Sequence, residues 1–70
     1  MKRRVVDLGK LKRIRKQQMS LHTMSQMLGY KSPNGYYYLE KGRSKMPADI
    51  LANVAIILDV PLEELFKDEK

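Results

Sequence analysis

The sequence predicts an all-α domain of five short helices packed as one compact bundle. Three observations predict it. Apolar residues recur three and four positions apart in short segments, the spacing of helices with one inward face. Each segment opens on a capping residue or a proline, the second and third close on glycines, and the fourth closes on the break Asp59-Val60-Pro61. No stretch shows the alternation of a strand. Seventy residues make a single domain with one small core. With no cysteine there are no disulfides, no thiol chemistry and no thiolate metal site.

Residues 1–6 read as a flexible basic arm carrying Lys2, Arg3 and Arg4, residues 7–66 as the folded domain, and residues 67–70 as a frayed tail. The first helix covers Asp7 to about Gln17. Leu8, Leu11 and Ile14 lie on one face of it, and Lys10, Lys12, Arg13 and Lys16 on the other. Asp7 suits the positive helix start. After a turn at Gln18-Met19, Ser20 caps a second helix with Leu21, Met24, Met27 and Leu28 on its apolar face, and Gly29 ends it in a left-handed conformation. Ser32 caps a third helix and Pro33 fits its first turn, where the missing N–H costs nothing. Tyr36 and Leu39 point inward, and Gly42 closes the helix. Pro47 opens a fourth, whose Ile50, Leu51, Val54, Ile57 and Leu58 form the strongest apolar stripe. Pro61 to Phe66 makes a short fifth helix, with Leu62, Leu65 and Phe66 covering the bundle.

The charge is unevenly placed. Residues 1–45 hold twelve Lys/Arg against Asp7 and Glu40, a charge of +10, whereas residues 46–70 hold two against six acids, −4, together the chain's +6. A basic first two-thirds and an acidic end indicate one polyanion-facing side. No apolar run approaches the ~18–20 residues of a membrane span, and no signal-type stretch follows Met1-Lys2-Arg3-Arg4. The expectation is a soluble cytoplasmic protein with no membrane association.

Two short helices joined by a glycine-containing turn, in a small basic chain, describe a helix-turn-helix whose second member enters the DNA major groove. If Tyr36 and Leu39 face inward, Asn34, Gly35, Tyr37, Tyr38 and Lys41 occupy the remaining faces, since consecutive helical residues point ~100° apart. Asn34 is suited to bidentate pairing with adenine. Tyr37 suits bases or a thymine methyl, and Tyr38 bases or, through its hydroxyl, a phosphate. Gly35 leaves room where the helix presses on DNA. Ser32 and the amides behind it form a helix start able to hold a phosphate. Lys31, Lys41, Arg43 and Lys45 bracket the helix as backbone contacts. Glu40, beside the core stripe, needs a cation, supplied by Arg13 or Arg15. His22 stands alone, and the methionines at 19, 24 and 27 read as core filler. No paired-acid, nucleophile–base or metal-ligand arrangement is present, so neither an enzyme nor a cofactor is expected.

Met19-Ser20, Leu28-Gly29-Tyr30-Lys31-Ser32, Leu39-Glu40-Lys41-Gly42-Arg43 and Leu58-Asp59-Val60-Pro61-Leu62-Glu63-Glu64-Leu65-Phe66, in that order and spacing, resemble the Cro/C1-type (xenobiotic-response-element-like) helix-turn-helix regulators of bacteria and phages. The resemblance runs from Leu8 to Phe66 and implies a five-helix lambda-repressor-like domain. Its helix-turn-helix is formed by Leu21, Met24, Ser25, Leu28, Gly29, Tyr30, Tyr36 and Leu39, with Arg15, Glu40 and Gly42 in structural roles. The sequence departs from the pattern at Leu21, where a phosphate-clamping Gln is usual, and at Ser25, where Ala is usual. The turn before the second helix is one residue short, and Pro33-Asn34-Gly35 is an unusual opening for the recognition helix.

These readings lead to a sequence-specific regulator of transcription, a repressor, that binds double-stranded DNA as a homodimer through the end of the fourth helix and the fifth. Exposed Ile56, Leu62 or Phe66 would form the interface unless they only complete the monomer core. The resemblance adds a setting in a bacterial or phage-infected cell. The rival is an antirepressor or adaptor that keeps the fold, binds a regulatory protein and touches DNA only weakly.

Overall fold

The computed structural model describes residues 3–69. Its elements are β1 (Arg4–Val6), α1 (Leu8–Gln18), α2 (Leu21–Met27), α3 (Pro33–Lys41), α4 (Ala48–Leu58), a 3-10 turn (Leu62–Leu65) and β2 (Phe66–Asp68). The four longer helices fall where periodicity puts them. Side-chain caps explain the starts of α1 and α2: the Asp7 carboxylate accepts from the Lys10 amide at 3.1 Å, and the Ser20 hydroxyl accepts from the Thr23 amide at 3.1 Å. Pro47 is the residue before α4 rather than its first helical position.

Every helix and the 3-10 turn contribute to one core of Leu11, Met24, Tyr36, Leu39, Leu51, Val54, Ala55, Leu58 and Leu65. Each large apolar side chain removed from water here stabilises the fold by about 1.5–3 kcal/mol before entropy is counted. Ala55 joins the core beside Leu51, Val54 and Leu58, while Ile50 and Ile57 sit at its margin. Met27 is not core: it is 56% exposed, to one side of the stripe made by Leu21, Met24 and Leu28.

Three expectations about the chain's ends are corrected. Residues 4–6 are not a free arm but a strand, paired antiparallel with residues 66–68 in the register Arg4 to Asp68, Val5 to Lys67 and Val6 to Phe66. The tail is therefore ordered through Glu69, whose amide donates to the Arg3 carbonyl at 2.8 Å. Lys2 of the expected arm and Lys70 of the expected tail lie outside the described residues. The fifth helix is a single 3-10 turn: the Glu64 amide donates to the Pro61 carbonyl, three residues back. Only four residues separate Pro61 from Phe66, which is already extended as the first residue of β2, so there is no room for α-helical bonds to propagate. The fold is thus mostly helical, with four α-helices and a terminal ribbon instead of five helices.

Backbone and side-chain bonds fasten the 3-10 turn to the start of α1. The Asp7 amide donates to the Leu65 carbonyl at 2.7 Å, and Lys10 donates to Glu64, holding that exposed carboxyl below the usual carboxylate range. Gln18 at the far end of α1 donates to the Leu58 carbonyl at 2.9 Å and so satisfies one of the orphan acceptors at the end of α4. Asp59, at φ 57°, takes the left-handed position that ends α4.

Among the described residues one ion pair is buried, and it links α1 to α3. Arg15 faces Glu40 with two hydrogen bonds, Nη2 to Oε1 at 2.6 Å and Nε to Oε2 at 3.2 Å, and its Nη1 donates to the Met19 carbonyl at 3.3 Å. Arg15, not Arg13, is the cation Glu40 requires. Glu40→Ala leaves the guanidinium buried without its partner and is expected to cost about 3–5 kcal/mol, close to the whole stability of a domain this small. Arg15→Met combined with Glu40→Leu should regain most of that loss. Urea unfolding of the two variants beside the parent chain measures both effects.

Candidate nucleic-acid interface

α2 and α3 pack directly on each other, and the turn between them is closed by backbone bonds. The Gly29 amide donates to the Gln26 carbonyl at 3.0 Å and the Tyr30 amide to the Ser25 carbonyl at 2.9 Å. Gly29 sits at φ 90°, a conformation that a side chain would strain. Ser25 is buried in the helix contact, and its hydroxyl donates back to the Leu21 carbonyl at 2.8 Å. A small residue is needed there, and serine supplies one that satisfies its own polar group.

The turn fixes what α3 turns inward. Tyr36, Leu39 and Glu40 are buried, whereas Asn34, Gly35, Tyr37, Tyr38 and Lys41 are exposed, which is the division the sequence predicts. Tyr36 is wholly buried and its hydroxyl has no hydrogen-bond partner. Burial, then the adjacent Glu40 charge, pushes that hydroxyl's pKa far above its ordinary value.

Gly35 has a reason for being glycine within the fold itself. A Cβ there would lie 3.0 Å from Cδ1 of the Tyr30 ring, so the missing side chain admits the tyrosine of the turn. Ser32 occupies the N-cap position, but its hydroxyl makes no capping bond to α3. The first-turn amides of α3 are thereby left to other acceptors.

Beyond the exposed face lies a band of cations. Lys31, Lys41, Arg43 and Lys45 are all exposed around α3. Two are ordered against aromatic rings: the Lys41 ammonium lies 5.6 Å from the Tyr37 ring centre, and the Arg43 guanidinium 5.9 Å from that of Tyr38. The two rings meet edge-on at 5.7 Å. Gly42, at φ 81°, turns the chain from Lys41 into this basic loop.

The structure adds Lys12, which sequence reasoning placed on the basic face of the first helix without connecting it to the site. It lines a hollow of about 80 Å³ with Leu21, Tyr37, Glu40 and Lys41, where α1, the start of α2 and α3 meet. The signal was present in the basic stripe of α1, but only the tertiary crossing shows which of its lysines reaches α3.

A buried inner face, a polar aromatic outer face and a cationic border on the second of two helices joined by a tight turn agree with the comparison to known families, in which a model described as helix-turn-helix matches residues 11–65. The chain belongs to the helix-turn-helix family. This helix-turn-helix domain is of the kind that binds double-stranded DNA in transcriptional regulators. Neither a curated protein nor a solved structure matches the chain. Among the described residues, no helix is long and apolar enough to cross a membrane, and no group of three His, Asp or Glu side chains could hold a metal ion.

The three tyrosines of α3 are separable by stability. Tyr36→Phe removes a buried donor that has no acceptor and is expected to raise stability by about 1 kcal/mol. Tyr37→Phe and Tyr38→Phe should stay within about 0.5 kcal/mol of the parent. Thermal unfolding of the three variants checks this.

Proposed function

We propose that this domain is a sequence-specific regulator of transcription of the Cro/C1 type, reading the major groove with α3 and repressing by occupying its operator. The observation that carries the reading is the outer face of α3, where Asn34, Tyr37 and Tyr38 stand exposed within a border of Lys31, Lys41, Arg43 and Lys45. Asn34, in the first turn, pairs with adenine, and Tyr37 and Tyr38 contact neighbouring base edges. The lysines, Arg43, and the uncapped helix start at Ser32 hold phosphates, while Gly35 lets the Tyr30 ring pack beneath that start. Lys12 joins them across the hollow it shares with Lys41.

One helix of this size reads only a few base pairs, so two copies would bind half-sites ~34 Å apart or a multiple of that. Ile56, 75% exposed, and Leu62 border a shallow apolar groove of about 440 Å³ at the end of α4, which supports a homodimer through this face. Phe66 is partly buried against the core, so it serves the monomer instead. The setting is the cytoplasm of a bacterial or phage-infected cell.

Leu21 favours a second reading, an antirepressor or adaptor that binds a protein. It makes the hollow beside Lys12 and Lys41 partly apolar, where a polar residue would clamp a phosphate. The two readings separate on selection of genome fragments by the purified protein at near-physiological salt. A shared, palindromic motif supports the regulator; random fragments lost steeply with salt favour the adaptor. On the selected site, Asn34→Ala is expected to cost about 1–3 kcal/mol and to relax one base position, whereas Lys45→Ala weakens all sequences alike and lowers the salt slope by about one. Binding isotherms across a salt series distinguish the two effects.

A further inference from the structure

The ribbon brings the basic start of the chain beside the loop that follows α3. Arg3 and Arg4 line one groove of about 370 Å³ together with Gly42, Ser44 and Lys45, residues some forty positions away in sequence. In the reading above, Lys45 holds a DNA phosphate, so this groove adjoins the DNA backbone. The two arginines carry intramolecular partners there. Arg3 Nη1 lies 3.6 Å from Glu69 Oε1, and Arg4 Nε lies 3.5 Å from Asp68 Oδ1.

The ribbon's register sets both pairs, because Arg4 stands opposite Asp68 and the Glu69 amide donates to the Arg3 carbonyl. They differ in kind from the buried Arg15–Glu40 pair. All four side chains are largely exposed and the contacts are long, so water and salt weaken them and the arginines exchange partners easily. A phosphodiester, like a carboxylate, offers arginine two anionic acceptor oxygens, and a duplex offers a row of them.

We propose that the ribbon–loop groove is a second phosphate-binding site, in which Asp68 and Glu69 hold Arg3 and Arg4 until DNA phosphates replace them. The acidic strand thereby sets how much of the chain's positive charge reaches DNA. This rests on the reading of α3 as the DNA-facing helix, because that reading puts the neighbouring loop on the backbone.

The test uses the full chain with two duplexes, the selected site and a random sequence, across a salt series. Asp68→Asn with Glu69→Gln is compared with Asp49→Asn with Asp59→Asn, which removes the same charge from exposed positions away from both arginines. The ribbon variant is expected to bind both duplexes roughly three- to tenfold more tightly than the parent, with a salt slope steeper by up to about two. The control variant should gain less and keep the parent slope. Adding Arg3→Gln and Arg4→Gln to the ribbon variant should abolish its gain. The proposal is overturned if both acid variants gain equally, or if the gain survives without the arginines. Loss of preference between the two duplexes in the parent chain would instead overturn the reading of α3, and the ribbon comparison on the random duplex would still stand or fall by itself.

Discussion

The buried pair of Arg15 and Glu40 is the constraint on which the rest of the structure depends. One guanidinium, carried on α1, reaches two places: the Met19 carbonyl where α1 gives way to α2, and the last turn of α3 through both carboxylate oxygens of Glu40. Rotating α3 by a single residue, ~100°, would carry Glu40 off Arg15 and exchange Tyr36 for Tyr37 in the core. Both changes are unfavourable, so the outer face of α3 is determined by what its inner face cannot give up. The arrangement has a cost, visible in the Tyr36 hydroxyl, which is buried beside Glu40 without an acceptor. A bidentate pair in a small apolar core adds less net stability than apolar side chains of the same size would, but it fixes orientation. Orientation is what a reading helix requires.

The charge division of the sequence acquires a spatial meaning once the ribbon is in place. The acidic end of the chain does not form a separate negative lobe. Asp68 and Glu69 lie against Arg3 and Arg4, and Glu64 against Lys10. Lys12, Lys31, Lys41, Arg43 and Lys45 form no ion pair among the described residues, and they cluster on and around α3. Intramolecular pairing at the chain ends and unpaired charge around α3 together concentrate the positive field on one side, which draws a polyanion toward α3.

Much of this was legible in the sequence because it rests on local rules. The capped starts of α1 and α2, the proline that opens α3, the glycines at 29 and 42, and the inward positions Tyr36 and Leu39 follow from capping chemistry, backbone conformation and helical spacing. The apolar stripe of α4 was equally plain, although Ala55 was overlooked because its small side chain contributes little to a hydropathy pattern. What could not be read was non-local. Val5-Val6 is too short to display alternation, and its partner lies sixty residues away, so a strand pair looked like an arm and a tail. Choosing between Arg13 and Arg15 for Glu40 required the crossing of α1 over α3, as did the arrival of Lys12 at the hollow. At Gly35 the residue was recognised as special but its neighbour was not, since only packing shows the Tyr30 ring where a Cβ would stand.

The aromatic and basic residues of the interface are not independent of one another, and this decides how its parts combine. Free lysine and arginine side chains each lose up to about 2 kcal/mol of rotamer entropy when a phosphate fixes them. Lys41 resting near the Tyr37 ring and Arg43 near the Tyr38 ring have already given up part of that freedom before any partner arrives. Edge contact between the rings extends the ordering across the pair. On the proposed reading, Tyr37 and Tyr38 therefore act twice, once toward bases and once by presenting the cations that grip the backbone beside them. Specific and non-specific binding are coupled at these four residues. On the same reading Asn34 and Lys45 stand outside that coupling, since among the described residues Asn34 has no cation against it and Lys45 no ring beneath it, and so they are the positions at which the two kinds of recognition would separate cleanly.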